Sequence, residues 1–233
     1  MENITRNIAF LQKKIAAACD AAGRHPREIC IIAVAKSFNA EKIRAAAAAG
    51  IANIGENYMQ ESIAKMAQLS ELPLLWHFIG HLQKNKSKDA ARHFGWVHTI
   101  DGAVLARRLS AAREGLPPLS VCLQINIDGE TGKSGATPEN APALAREIAA
   151  LPNLRLRGLM AVPSPLHENK RAPYRALAVL RDLLAEKCRL PLDALSMGMS
   201  DDFESAIAEG ATHIRIGRGI FGFRETKPKR ELP

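Results

Sequence analysis

Residues 29–36 read Ile29-Cys30-Ile31-Ile32-Ala33-Val34-Ala35-Lys36. A short unbroken apolar run rich in β-branched residues suits a strand covered on both faces, as in a parallel sheet. It ends at a lysine, and a helix-like stretch follows near 40–49. The same beat recurs along the chain. Strand-like runs occupy 29–35, 52–55, 75–80, 96–100, 119–127, 156–160, 194–197 and 213–217. Helix-like runs lie between them near 40–49, 57–69, 84–93, 102–114, 138–150, 171–188 and 202–209. In the run 57–69, Met59, Ile63, Met66 and Ala67 fall on a shared face. Asp101 stands where a helix N-cap belongs, and Gly115 and Gly210 stand where helices stop. Strands that alternate with helices pair in parallel, because each crossover needs a helix. Eight such units close into a (β/α)8 barrel, and an open doubly wound sheet is the structural alternative.

Before the first strand, Ile4, Ile8, Leu11, Ile15, Ala18 and Ala22 recur every three or four residues, which predicts an extra N-terminal helix. Gly23 stops it, with His25-Pro26 just beyond. No linker rich in Gly, Ser or Pro interrupts the rhythm, so residues 1–233 read as one domain.

The 233 residues suit a single α/β barrel, and a 47% hydrophobic share supplies its core. The net charge of +8 favours acidic partners such as phosphates. With 5% aromatic residues and scattered basic ones, no specific nucleic-acid partner is expected. Cys19, Cys30, Cys122 and Cys188 are far apart and match no metal spacing, so no metal site is expected. Such cysteines suit a reducing compartment. No signal peptide is read at the start, and no apolar stretch is long enough for a bilayer. A cytoplasmic monomer without membrane contact is the expectation.

In a barrel of this kind, active groups come from the C-terminal ends of strands, and phosphate is often held after strands 7 and 8. Lys36 ends the first strand. Desolvation there lowers the amine's proton affinity, as a Schiff-base lysine requires, against the alternative of a snorkelling surface lysine. Glu56 and Asn57 follow strand 2, and His77 lies within strand 3. After strand 7 comes Ser196-Met197-Gly198-Met199-Ser200-Asp201-Asp202. Ser200 or Asp201 is read as the N-cap of the next helix, and that helix start also suits a phosphate. Arg215 lies in strand 8, and Gly217-Arg218-Gly219 follow, with glycines that let backbone approach the same anion.

Two motif matches carry less. Gly217-Arg218-Gly219-Ile220-Phe221-Gly222 fits GxGxxG by letter, but no helix–strand unit or ribose-binding acid is expected in the eleven residues after it. Gly129-Glu130-Thr131-Gly132-Lys133-Ser134-Gly135 resembles a P-loop, but the required first glycine position is Ile127. An NTPase, or a nucleic-acid binder using Lys84, Lys86, Lys88 and the basic 227–230 run, is therefore a minor alternative.

These residues together resemble the YggS/PROSC family, the pyridoxal phosphate homeostasis proteins, whose barrel is related to the alanine racemase N-terminal domain. The resemblance spans nearly the whole chain. It rests on Val34-Ala35-Lys36, Gly55-Glu56-Asn57-Tyr58-Met59-Gln60-Glu61, Trp76-His77-Phe78-Ile79-Gly80-His81-Leu82-Gln83-Lys84-Asn85-Lys86, residues 196–202, Arg215-Ile216-Gly217 and Ile220-Phe221-Gly222. It implies pyridoxal 5′-phosphate (PLP) as cofactor, with Lys36 forming the Schiff base. Ser200 and Gly217 would help hold the phosphate, and Arg215 would face the pyridine nitrogen. Asn57, His77, Met197 and Arg218 complete the expected cofactor-binding set, with no catalytic residue assigned. Two departures stand out: Phe38 replaces a second lysine found in some members, and Arg218 stands where a small hydroxyl residue is expected.

The implied role is intracellular PLP homeostasis, with apo-PLP enzymes as possible recipients. A minimal amino-acid racemase is the alternative. An arginine at the pyridine nitrogen can only donate, which leaves the ring a poor electron sink. The tyrosine that serves as second base in the related racemases comes from a separate domain. The tyrosines here, Tyr58 and Tyr174, are placed near helix starts.

Overall fold

In the computed structural model, which describes residues 2–223, eight strands run Cys30–Val34 (β1), Asn53–Glu56 (β2), Leu75–Phe78 (β3), Trp96–Ile100 (β4), Leu119–Gln124 (β5), Leu154–Met160 (β6), Ala194–Met199 (β7) and His213–Ile216 (β8). The helices are Glu2–Ala21 (α1), Ala40–Ala48 (α2), Met59–Gln68 (α3), Ser87–His93 (α4), Ala103–Ala112 (α5), Ala141–Ala149 (α6), Ala172–Cys188 (α7), Phe203–Ala208 (α8) and Arg218–Phe221 (α9). Each strand pairs with the next, and β1 also pairs in parallel with β8, with Ile32 opposite Arg215. The sheet is therefore a closed barrel, and the open-sheet alternative is excluded. The basic run at 227–230 lies outside the described residues.

The extra N-terminal helix is present as α1. It buries Ile4, Ile8, Leu11, Ile15 and Cys19, a spacing that keeps one stripe inward. That stripe packs on α8, α9 and α2. Ala18 and Ala22 are only partly covered, so Cys19 takes the place expected of alanine.

Side chains alternate along each strand between the barrel lumen and the helix layer. In β7 Ser196 turns inward and Met197 joins the apolar shell packed beneath the helices. Trp96, Cys122, Met160 and Ala194 form a small apolar cluster of their own, apart from the main core. Burial pushes the Cys122 thiol up to about 12 and the Cys30 thiol up to about 11, so both behave as small hydrophobes. Among the described residues no helix is long and apolar enough to cross a membrane.

Three local expectations are corrected. Gly102, not Asp101, is the N-cap of α5, and it offers no side-chain hydrogen bond. Asp202, not Ser200 or Asp201, is the N-cap of α8, and its carboxylate accepts from the Met199 backbone N–H at 2.6 Å. On α3 the buried positions are Met59, Ser62 and Lys65, while Ala67 is exposed. An ion cluster on β2 draws Lys65 inward, which hydrophobic periodicity cannot register.

Candidate ligand-binding site

One cavity of about 690 Å³ opens at the C-terminal mouth of the barrel. Its wall includes Lys36 after β1, Asn57 after β2, Ser200 after β7, Arg215 within β8, and Gly217 and Arg218 after β8. Six of the eight sequence-predicted residues therefore meet in one place. Chain order explains the convergence: β1 and β8 are neighbours, so residues almost two hundred apart in sequence share a wall.

His77 and Met197 are not brought to that wall. His77 faces the lumen one layer below, and Ile79, two residues further along the chain, reaches the cavity instead. Met197 follows inward-facing Ser196, so its side chain points to the helix layer, where it is fully buried. The β7–β8 register shifts between Ser196 and Met199, and Met199 lines the cavity.

Arg215 is 4% exposed, and burial pulls its guanidinium below the usual arginine value. Nη2 donates to the Ala161 carbonyl at 2.9 Å and Nη1 to Ser196 Oγ at 2.8 Å. From there a polar chain runs down the lumen. Ser196 Oγ lies 2.8 Å from His98 Nδ1, His98 Nε2 lies 3.0 Å from His77 Nδ1, and His77 Nε2 lies 3.0 Å from Asn53 Oδ1. Because the Asn53 amide oxygen only accepts, neutral imidazoles give the chain one consistent direction of donation, from Arg215 to Asn53. It requires neutral imidazoles. Burial, then the neighbouring His213, holds His77 down to about 3. Burial, then His77, His213 and Arg215, holds His98 well below the usual range. His98 sits inside the strand-like run Trp96–Ile100, and an ionisable residue inside such a run was the available sequence signal for this network.

At the rim, Arg218 Nη2 donates to Asp201 Oδ2 at 2.5 Å, both side chains being exposed. Ser200 Oγ accepts from the Gly219 backbone N–H at a long 3.4 Å. A Cβ at Gly219 would lie 2.9 Å from Ile216 Cγ2, so the approach of this turn to the site depends on glycine. Asn57 Oδ1 is buried without a hydrogen-bond partner among the described residues. Phe38 is buried, lies tilted against Phe221 with ring centroids 4.9 Å apart, and gives the cavity an apolar stretch of wall.

The alternatives meet contrary geometry. The Lys133 ammonium is held by Glu130 at 2.6 Å and Asp128 at 3.5 Å, and α6 begins only at Ala141. A P-loop leads directly from its lysine into a helix. Tyr58 is exposed, and neither tyrosine lines the cavity. The buried Tyr174 hydroxyl bonds to Asp202, and burial raises it above the usual tyrosine value.

The alanine racemase N-terminal domain family matches residues 2–225. The chain is 53% identical over 226 residues to a Pyridoxal phosphate homeostasis protein of Pseudomonas aeruginosa, covering 97% of each chain. It is 47% identical over 234 residues to the Escherichia coli protein of the same name, covering 98% of this chain and 100% of that one. The structure of PipY from Synechococcus elongatus with PLP bound is 36% identical and superposes with a TM-score of 0.82, over 94% of this chain and 100% of that one. With a closed parallel barrel, an added N-terminal helix and relatives that match almost end to end, the chain belongs to the alanine racemase N-terminal domain family and, within it, to the pyridoxal phosphate homeostasis proteins.

Proposed function

We propose that this chain binds PLP covalently through Lys36 and serves PLP homeostasis in the cytoplasm as a carrier or reservoir, without significant catalytic turnover. The observation that carries this is the cavity of about 690 Å³ walled by Lys36, Arg215, Ser200, Gly217 and Arg218 together. Its residues suit the cofactor. The partnerless Asn57 Oδ1 awaits a donor, and Gly219 keeps the turn beside Ser200 free of a side chain. In this reading Ser200 and the 217–219 backbone hold the phosphate, and Arg215 donates to the ring nitrogen. The names of the relatives and the PLP held by PipY support the assignment.

Bound PLP supplies a carbonyl carbon reactive towards amines and a ring that can act as an electron sink. Arg215 weakens the sink, because a donor at the ring nitrogen leaves it without a proton. No tyrosine among the described residues reaches the cavity to act as a second base. Exchange of one amine for another, or hydrolysis, at Lys36 needs neither, and apo-PLP enzymes are the proposed recipients.

Borohydride reduction of the PLP-loaded protein should fix one adduct, read by intact mass, and Lys36→Ala should lose it. A full-strength adduct on the variant, mapped to Lys133 for example, sinks the assignment. Turnover is tested by incubating the loaded protein with amino acids in heavy water. Exchange at the α-carbon at enzyme-like rates overturns the carrier role. Reactivation of an apo-enzyme that vanishes when free PLP is trapped leaves only a reservoir.

A further inference from the structure

Lys36 stands between two residues that one ion cluster holds from outside the barrel wall. Lys65, on the inner face of α3, donates to the Ala35 carbonyl at 2.8 Å, to Glu56 Oε1 at 2.7 Å and to Glu61 Oε1 at 2.5 Å. The same Glu61 oxygen accepts from the Ser37 backbone N–H at 2.7 Å. The residue before Lys36 and the residue after it are thus gripped by one cluster.

The grip coincides with strain. Ser37 has φ of 67°, the left-handed region that a residue with a Cβ rarely adopts. Such a conformation persists only where its surroundings over-determine it. Ala35 is the last residue tied to β2, through its N–H to the Gly55 carbonyl at 2.9 Å, and the chain must turn directly after it. The left-handed residue Ser37 directly follows Lys36, which lines the cavity.

Stability alone is a poor reason for this cluster. Glu56 is fully buried and Lys65 nearly so, and burial pushes the Glu56 carboxyl up despite the ammonium beside it. Packed apolar side chains of similar volume often stabilise a fold as well as a buried ion pair does. What apolar groups cannot do is accept a bond from Ser37 N–H and donate one to the Ala35 carbonyl.

We propose that Lys65 and Glu61, anchored by Glu56, are positioning residues for Lys36: they hold the 35–37 turn in its left-handed form and so present the amine to the cavity. This rests on the assignment of Lys36 as the PLP lysine, and the controls separate the two. The reaction followed is attack of the Lys36 amine on the PLP aldehyde, which forms a C=N bond and releases water.

The test uses the full chain and two probes. PLP reports imine formation by its absorbance band, and 4-deoxypyridoxine 5′-phosphate, which lacks the aldehyde, reports occupancy of the cavity alone. Glu61→Ala should slow imine formation on the order of tenfold or more, as misplacement of a reacting group does, with little change in affinity for the aldehyde-free probe. Glu61→Gln, which retains an oxygen for Ser37 N–H, should restore much of the rate. Adding Ser37→Gly to Glu61→Ala should also recover rate, because glycine adopts the turn without strain. Lys65→Met should match Glu61→Ala. Equal losses for both probes, or a lowered melting temperature with an unchanged imine rate, would make the cluster structural only and overturn the proposal. If wild-type protein forms its adduct elsewhere than Lys36, the functional assignment itself has failed.

Discussion

Ser196 Oγ lies 2.8 Å from His98 Nδ1, and this contact joins the arginine of the cavity wall to the imidazoles of the barrel lumen. Ser196 is the only link from Arg215 to His98 among the described hydrogen bonds. Ser196→Ala strands a guanidinium N–H and an imidazole nitrogen, and each buried group left without a partner costs about 1–3 kcal/mol. The urea midpoint of the ligand-free protein should fall accordingly, and the absorbance maximum of the PLP-loaded form should shift as Arg215 loosens. Unchanged values for both would mean the hydroxyl carries nothing between the two residues.

The three lumen histidines set a pH limit on the fold. Burial holds His77 down to about 3 and His213 down to about 4, and His98 is also held well below the usual range. All three are neutral when folded and take up protons near pH 6.5 when unfolded. Their contribution is complete above that pH and is lost as pH falls towards the folded values. Each removes up to about 1.4 kcal/mol per pH unit. Urea melts between pH 7 and pH 4 should show this steep loss, and substituting His213 by an apolar residue should flatten it. A pH-independent midpoint across that range contradicts neutral imidazoles.

Ser200 is not the cap of α8, since Asp202 holds that place. Ser200→Ala should therefore leave the ligand-free melting temperature nearly unchanged. PLP retention should fall by about tenfold to a hundredfold, the worth of one hydrogen bond to a charged acceptor of about 1.5–3 kcal/mol. Equilibrium dialysis against PLP measures the second quantity and calorimetry the first. A drop in melting temperature with undiminished retention would return Ser200 to a purely local structural role.

Gly80 presses on the loop that carries Asn57. A Cβ there would lie 2.5 Å from the Asn57 carbonyl oxygen and 2.7 Å from its Cα. Backbone cannot yield as a side-chain tip does, so Gly80→Ala should destabilise the fold by about 1–3 kcal/mol and draw Asn57 from the cavity wall. Weaker PLP binding together with a lower urea midpoint is the expected pair. Normal binding in a normally stable variant would show that the two loops move freely.

The architecture was legible because eight apolar runs alternate with helical ones, and a barrel closes at that number. The meeting of Lys36, Asn57, Ser200, Arg215, Gly217 and Arg218 at one cavity wall was legible because strand ends converge at the mouth of such a barrel. Met197 lies off the wall because strand alternation assigns faces only once one inward residue, here Ser196, is known. His77 has the inward face but sits one layer below the cavity, a depth that alternation does not report. The lumen chain through His98 was missed because burial of a polar group depends on partners far away in sequence, here Ser196 and His77. Lys65 escaped for the same reason: a hydrophobic stripe expects an apolar residue where Glu56 and Glu61 place an ammonium.

The pairing of β1 with β8 also fixes when the site comes into being. Lys36 leaves the ribosome early, whereas Arg215, Gly217 and Arg218 are among the last described residues to emerge. No nascent intermediate holds both halves of the wall, so ligand capture waits for synthesis of the eighth strand. A chain stalled or clipped before residue 213 would lack Arg215, Gly217 and Arg218, however well its first seven units had folded. A complete cavity wall is therefore a certificate of translation carried through β8.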